Sequence, residues 1–111
     1  LTHRDPVCTN IFDEVDSGVG GATAEVVGRK LKGMAAARQV IVVTHQPQIA
    51  MHAHQHLHVH KCTQKGRTVT RVEHLDAGGR KEELSRMLGG LTVTSRAREH
   101  AEELLARGEA A

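Results

Sequence analysis

Three acidic residues follow a short apolar run near the start of the chain, in the stretch IFDEVD. Asp13 and Glu14 are adjacent, directly after Ile11 and Phe12, and Asp16 follows them closely. One carboxylate of such a pair can hold a hard cation such as Mg²⁺, directly or through water. The other can polarise a water molecule for attack on a phosphoryl group. The pair therefore fits a metal-assisted phosphoryl-transfer site, although a lone acidic pair after an apolar run is common.

Glycines and a histidine stand where they can complete such a site. Gly18, Gly20 and Gly21 follow the acids and permit close approaches that larger residues prevent. His45 directly follows a second apolar run, QVIVVT, and could donate a hydrogen bond to a phosphate or hold the attacking water. Glycines before a helix usually form only a turn, and a single histidine after a strand is more often a surface group. It is the combination of these features that points to a nucleotide site.

The order of the predicted elements would bring these residues together. Residues 7–12 predict a strand, residues 22–38 an amphipathic helix, and residues 39–44 a second strand. A strand, a helix and a strand in this order form a βαβ unit with parallel strands and a right-handed crossover. The continuous apolar run of the second strand is typical of a strand covered on both faces. Because ligands bind outside the carboxyl ends of parallel strands, the acidic pair and His45 are expected at one edge of the sheet.

The rest of the chain predicts a hairpin and further helices, so that the fold class is α/β. The hairpin turn is assigned to Lys65-Gly66 and the end of a helix to Gly89-Gly90, because glycine favours both positions. The predicted architecture is a set of parallel strands with flanking helices, a hairpin and two C-terminal helices. The expected elements are a short helix over 47–53, strands over 56–63 and 68–75, a loop over 77–79, and helices over 80–88 and 94–107.

Length and charge limit the possible functions. The chain has 111 residues, which suits one small domain or part of a larger one. Its formal net charge is +2, which is too weak to indicate nucleic-acid binding by electrostatics alone. No apolar run approaches the roughly 20 residues that cross a bilayer, so no membrane partner is expected. The chain begins with Leu rather than Met, and we expect it to be a fragment of a longer protein.

The motifs around these residues resemble those of a known family. IFDEVD followed by SGVGG resembles the Walker B motif and D-loop of ABC-type ATPases, and VIVVTH resembles the strand and switch histidine that follow them. Within that superfamily, the chain is most similar to the RecN family of bacterial DNA repair proteins, relatives of the SMC ATPases. The similarity covers residues 11–105, nearly the whole chain. The phrases that carry it are FDEVDSGVGG, RQVIVVTHQPQIA, HQH, RKEELSRMLGG and TVTSRAREHAEELL.

The resemblance implies a role for each candidate residue. Asp13 would help to hold Mg²⁺ through water, and Glu14 would be the base that orients or activates the attacking water. His45 would be the switch histidine near the γ-phosphate of ATP. A further set would form the D-loop, which in such ATPases crosses to the partner head. These residues are Asp16, Ser17, Gly18, Val19, Gly20 and Gly21.

The resemblance also implies what the whole molecule does. Residues 1–111 would be the C-terminal lobe of an ABC-type (P-loop) ATPase head that hydrolyses ATP with Mg²⁺ in double-strand break repair and recombination. The implied partners are ATP, DNA and a second ATPase head in a homodimer, in the bacterial cytoplasm at the nucleoid. The sequence contains no GxxxxGK[ST] P-loop, signature motif, Q-loop or coiled coil. We therefore expect the chain alone to be inactive.

A different class of ATPase shares part of the acidic motif. DEVD matches the DExD box of superfamily 2 helicases, where the acids also serve Mg²⁺ and water. That class requires a later strand ending in Ser-Ala-Thr, whereas this chain has Val42 to His45 at the corresponding place. The helicase hypothesis is therefore the weaker one.

A non-enzymatic alternative comes from the histidine-rich stretch MHAHQHLHVHK. His52, His54, His56, His58 and His60 recur at every second position, so on a strand they would share one face. Such a face could bind Zn²⁺ or Ni²⁺ through imidazole nitrogens. The stretch itself contains no carboxylate that could complete a tetrahedral site. We therefore favour an ordinary histidine-rich strand and loop over a metal-binding module.

Overall fold

The computed structural model describes residues 8–13, 20–90 and 92–111. These residues form two compact units. The first unit ends at Ala53 and also includes Leu104–Ala111, and the second unit is His54–Glu103. The elements in chain order are β1 (Thr9–Asp13), α1 (Gly21–Met34), β2 (Gln39–Val43), α2 (Pro47–Ala50), β3 (His56–Gln64), β4 (Arg67–Leu75), α3 (Ala77–Gly89) and α4 (Ser95–Ala110).

In the first unit, β1 and β2 form a parallel pair with α1 between them in the chain. The register runs from Thr9 opposite Gln39 to Asp13 opposite Val43. The predicted strand–helix–strand order with parallel pairing is confirmed. A small aliphatic cluster packs α1 and α2 against one face of this pair. It consists of buried Ala24, Leu31 and Ile49, with Phe12, Val27, Met34, Val40 and Val42 packed against them.

The opposite face of the β1–β2 pair is open. Ile11 is 69% exposed, Val43 54% and Ile41 42%, while the alternate residues face the aliphatic cluster. The expectation that the second strand is covered on both faces is therefore wrong for the described part of this unit. Both faces of β2 carry apolar side chains, so the sequence does not show which face is buried. Among the described residues, α1 and α2 pack against one face only.

Helix α1 is shorter than predicted. It ends at Met34 rather than near Arg38, and residues 35–37 form a turn. The chain has to reverse there because Gln39 must pair at the start of β2, where its N–H donates to the Cys8 carbonyl at 2.8 Å. Helix α2 likewise ends at Ala50, short of the predicted residue 53.

In the second unit, β3 and β4 form an antiparallel hairpin. His56 lies opposite Leu75, and the register continues to Gln64 opposite Arg67. The turn residues Lys65 and Gly66 both have positive φ, 51° and 75°. Two such residues make the tight turn whose twist matches that of the strands. The predicted hairpin and the position of its turn are confirmed.

The two C-terminal helices begin with side-chain caps. The Asp76 carboxylate accepts a 2.7 Å hydrogen bond from the Gly79 N–H, so α3 begins at Ala77 and the predicted loop at 77–79 is wrong. The cap compensates for the poor helix propensity of Gly78 and Gly79. The end of α3 at Gly89–Gly90 agrees with the prediction, and Gly90 has φ 74°. Among the described residues, no helix combines the length and the apolar composition that a membrane span requires.

Candidate phosphoryl-transfer site

The ends of the two parallel strands define one edge of the first unit. Asp13 is the last residue of β1 and pairs with Val43, the last residue of β2. His45 follows Val43 after one intervening residue, and both Asp13 and His45 are exposed. The parallel register thus brings a carboxylate and an imidazole out at the same edge, as the strand order predicted.

Hydrogen bonds within residues 44–50 hold the segment that follows β2. The Gln46 N–H donates to Thr44 Oγ1 at 3.0 Å. The Gln46 carbonyl in turn accepts from the N–H groups of Ile49 and Ala50, both at 3.1 Å, and Pro47 occupies the first helical position of α2. His45 lies between Thr44 and Gln46, so its backbone is held on both sides at the strand end.

Two of the predicted D-loop glycines lie at the start of α1. The Gly20 carbonyl accepts a 2.8 Å hydrogen bond from Ala24, and Gly20 has φ −82°, a conformation open to any residue. A Cβ at Gly20 would meet no atom within 4 Å, and one at Gly21 would touch Gln48 at 3.7 Å. The described part of the fold therefore has room for a side chain at both positions. Packing within this unit does not require glycine there.

Five of the predicted site and D-loop residues fall outside the described residues. They are Glu14, Asp16, Ser17, Gly18 and Val19. Their predicted roles remain predictions, as do the roles of Asp13, His45, Gly20 and Gly21. Asp13 offers an exposed carboxylate at a strand end, which is the hard oxygen donor that Mg²⁺ prefers, so this part of the site fits the predicted ion.

One histidine of the histidine-rich stretch is buried in the first unit. His52 follows α2 and is 5% exposed. Burial is the main cause that lowers its pKa, and the positive charges of Lys32 and Arg29 lower it further. His52 is thus a neutral packing residue. In the sequence, only the apolar residues just before His52 indicate that its side chain is buried.

The five alternating histidines do not share one face. His52 and His54 precede the hairpin, and His56, His58 and His60 alone lie on the same face of β3. The alternative that places all five histidines on one face therefore does not hold, whereas the predicted start of the strand at residue 56 is confirmed. The strand begins at His56, and only within a strand does alternation place side chains on one side.

Comparison with known proteins found relatives along most of the chain. It is 45% identical over 101 residues to DNA repair protein RecN of Xylella fastidiosa strain Temecula1, covering 91% of this chain and 18% of that protein. It is 52% identical over 96 residues to RecN of Deinococcus radiodurans, covering 86% of this chain and 17% of that protein. For RecN of Bacillus subtilis the identity is 40% over 109 residues, covering 98% of this chain and 19% of that protein. The chain thus spans less than a fifth of these relatives.

A solved structure shares the fold. It comes from work on the structural biochemistry of ATP-driven dimerization and DNA-stimulated activation of SMC ATPases, and it matches with a TM-score of 0.61 at 19% identity. The match covers 79% of this chain and 52% of that chain. No family model matches this chain. The predicted resemblance to RecN and the predicted α/β fold are both confirmed.

Proposed function

Because the chain is similar to DNA repair protein RecN over most of its length, we propose that it is part of an ATP-hydrolysing protein of DNA repair. Its relatives carry that name, and its fold is shared with an SMC ATPase. The observation that carries the proposal is the parallel pairing of β1 with β2, which brings Asp13 and His45 to one edge. The reported relatives offer no support for the helicase hypothesis.

The chemistry proposed for this edge divides the work among separate residues. Asp13 holds Mg²⁺, and bound Mg²⁺ neutralises charge on the phosphates of ATP. Glu14 orients the attacking water and accepts its proton. His45 donates a hydrogen bond toward the γ-phosphate. Because this sequence has no phosphate-cradling GxxxxGK[ST] loop, we propose that the rest of the ATP site lies outside these residues and that this chain alone is inactive.

The proposed partners follow from the same reasoning. The predicted D-loop residues, Asp16 to Gly21, contact a second ATPase head, so two heads of a homodimer enclose ATP between them. Double-strand break repair and recombination require DNA as a further partner, and the protein acts in the bacterial cytoplasm at the nucleoid. The names of the relatives support the repair role, and the SMC ATPase likeness supports paired heads.

Replacing the proposed base tests the hydrolytic mechanism. In the whole protein, Glu14→Gln keeps a side chain of the same size but removes the proton acceptor. We expect ATP binding to be retained and turnover to fall by about 10²-fold or more, the scale of general-base effects. Nucleotide binding and steady-state phosphate release measure the two quantities.

The matched control is Glu99→Gln, which makes the same chemical change at an exposed position of α4. It should leave turnover unchanged. A Glu14→Gln protein that hydrolyses ATP at the normal rate would remove Glu14 from the mechanism. Equal losses in both variants would indicate a general effect of charge instead.

A further inference from the structure

The hairpin of the second unit places two histidines and a glutamate on one face. His58 lies directly opposite Glu73 across the β3–β4 pair, and His60 is the next residue of β3 on the same side. One potential ligand atom from each of the three side chains lies within 4.8 Å of the other two. We call these residues the His58/His60/Glu73 cluster. The sequence analysis found no carboxylate near the histidines, and strand pairing is what supplies one.

The contacts inside the cluster are close but are not hydrogen bonds. His60 Nε2 is 3.8 Å from Glu73 Oε1, which exceeds the roughly 2.7–3.2 Å of a formed N–H···O bond. The imidazole rings of His58 and His60 are stacked with centroids 5.0 Å apart. His60 Nδ1 is buried without a hydrogen-bond partner among the described residues, so Nε2, on the Glu73 side, is the nitrogen available to a ligand.

These donor types suit a divalent transition metal. Zn²⁺ binds imidazole nitrogen and carboxylate oxygen at about 2.0–2.2 Å, and three protein ligands with one open position are a common arrangement. The three ligand atoms lie within 4.8 Å of one another, so the side chains have to move closer together around an ion. The Glu73 side chain is 58% exposed, so an ion can reach the cluster from solvent and can keep water in the remaining position.

The groups around the cluster also favour a cation. Glu83 of α3 places Oε2 3.5 Å from His58 Nε2 and is itself held by Arg86 through two 2.7 Å contacts. At 3.5 Å this contact is longer than a formed hydrogen bond, so Glu83 contributes negative charge near His58 rather than a fixed ring orientation. Arg71, which pairs with His60, directs its guanidinium to Gln64 at 3.3 Å, farther along the hairpin.

We propose that the His58/His60/Glu73 cluster binds one divalent transition-metal ion of the Zn²⁺ class. His58, His60 and Glu73 are its ligands, and water completes the coordination. Glu83 adds negative charge beside His58 without being a ligand. The site is independent of the proposed ATP site, because all of its residues belong to the second unit. The hairpin register holds the three ligand-bearing residues on one face before any ion arrives.

Zinc titration of the whole protein tests the proposal. Competition with a chromophoric chelator should show one Zn²⁺ ion whose affinity falls by about tenfold or more in His58→Ala, His60→Ala and Glu73→Gln, since even loss of an outer partner costs about 10–100-fold. The matched control is His74→Ala. His74 lies on the same hairpin but pairs with Leu57 on its other face, so its loss should change the affinity by less than about twofold.

Two further measurements keep the outcomes distinct. Thermal unfolding without metal checks that each variant is folded, and Co²⁺ added to the unaltered protein should give the visible absorption of a protein-bound ion. Failure of the unaltered protein to bind Zn²⁺ would overturn the proposal, as would equal losses in His74→Ala and the ligand variants. Unchanged binding in Glu73→Gln would also overturn it, because two histidines on a strand would then account for all the affinity. ATP turnover has no part in these readouts.

Discussion

Gly28 lies on the face of α1 that packs against α2. A Cβ at this position would meet the Gln48 carbonyl at 3.1 Å, the Ile49 Cα at 3.2 Å and the ring of His52. Because Gly28 has no side chain, the backbones of α1 and α2 can approach each other beside the aliphatic cluster. A helix-interior glycine is unfavourable by itself, by roughly 1 kcal/mol relative to alanine, so this one is explained by packing.

Gly28→Ala should destabilise the first unit although alanine is the better helix former. Forcing a methyl group into this contact costs about 1–3 kcal/mol of unfolding free energy. The measurement is chemical denaturation of the two proteins under the same conditions. Gly33→Ala is the matched control in the same helix, because its Cβ would enter open space. Gly33→Ala should leave the free energy of unfolding unchanged or raise it by up to about 1 kcal/mol. If it destabilises the protein instead, the loss in Gly28→Ala cannot be assigned to the close contact with α2.

Gly108 makes a second close approach within the first unit. Its added Cβ would collide with the backbone of Met51, and its carbonyl accepts a 2.6 Å hydrogen bond from Lys32 Nζ. Lys32 also donates to the Glu109 carbonyl at 3.2 Å. A lysine in the last turn of α1 therefore holds the last turn of α4. Cations near helix C-termini are favourable because the carbonyl dipoles point toward them.

At the scale of elements, caps decide where the C-terminal helices begin. Asp76 accepts from Gly79 at the start of α3, and Thr94 Oγ1 accepts from the Ala97 N–H at 3.0 Å at the start of α4. Each cap satisfies one backbone donor that a helix start leaves without a partner. The glycines at 78 and 79 suggested a loop, and the aspartate before them outweighed that signal.

Asp76→Ala should fray the first turn of α3. Loss of an N-cap costs about 0.5–2 kcal/mol, and the two glycines add no helix propensity of their own to resist the loss. Amide hydrogen exchange at residues 79–81 should speed up, while exchange in α1 stays constant. Asp76→Asn is the control that keeps a capping oxygen, and it should behave as the unaltered protein. Equal fraying in both variants would mean that the charge of Asp76, rather than its hydrogen bond, starts the helix.

At the scale of the whole molecule, the proposed catalysis depends on residues that are exposed on the first unit. Asp13 and His45 are exposed at a strand edge, and Gly20 has open space around it. The paired-head proposal assigns contact with a second head to the predicted D-loop residues, of which the structure describes Gly20 and Gly21.

Gly20→Ala separates packing from function. Its φ of −82° accepts alanine, but Gly20 is the N-cap of α1, where alanine is less favourable than glycine, so the free energy of unfolding should change by no more than about 1 kcal/mol. ATP turnover of the whole protein should nevertheless fall by about tenfold or more, since misplacement of positioned groups by about 1 Å can cost ~10²-fold. Gly33→Ala should leave turnover unaltered. Full activity in Gly20→Ala would exclude Gly20 from the loop that contacts a second head.

Much of the fold was predictable from the sequence because the signals are local. The apolar periodicity of α1, the run of β2 and the Lys65-Gly66 turn each depend on neighbouring residues, and the parallel pair and the hairpin formed as predicted. The sites were less predictable. The residue types at the strand ends indicated phosphoryl chemistry, but the carboxylate opposite His58 comes from the other strand of the hairpin and could not be found among its sequence neighbours.

The sequence by itself determined the order of strands and helices, the turn positions and the presence of acids and a histidine after two apolar runs. Only the tertiary structure decided which face of β2 is covered, why Gly28 is a glycine, and that Glu73 lies opposite His58. The physical reason is that periodicity and turn preference act over a few residues. Packing faces and cross-strand partners depend instead on segments that meet only when the chain folds.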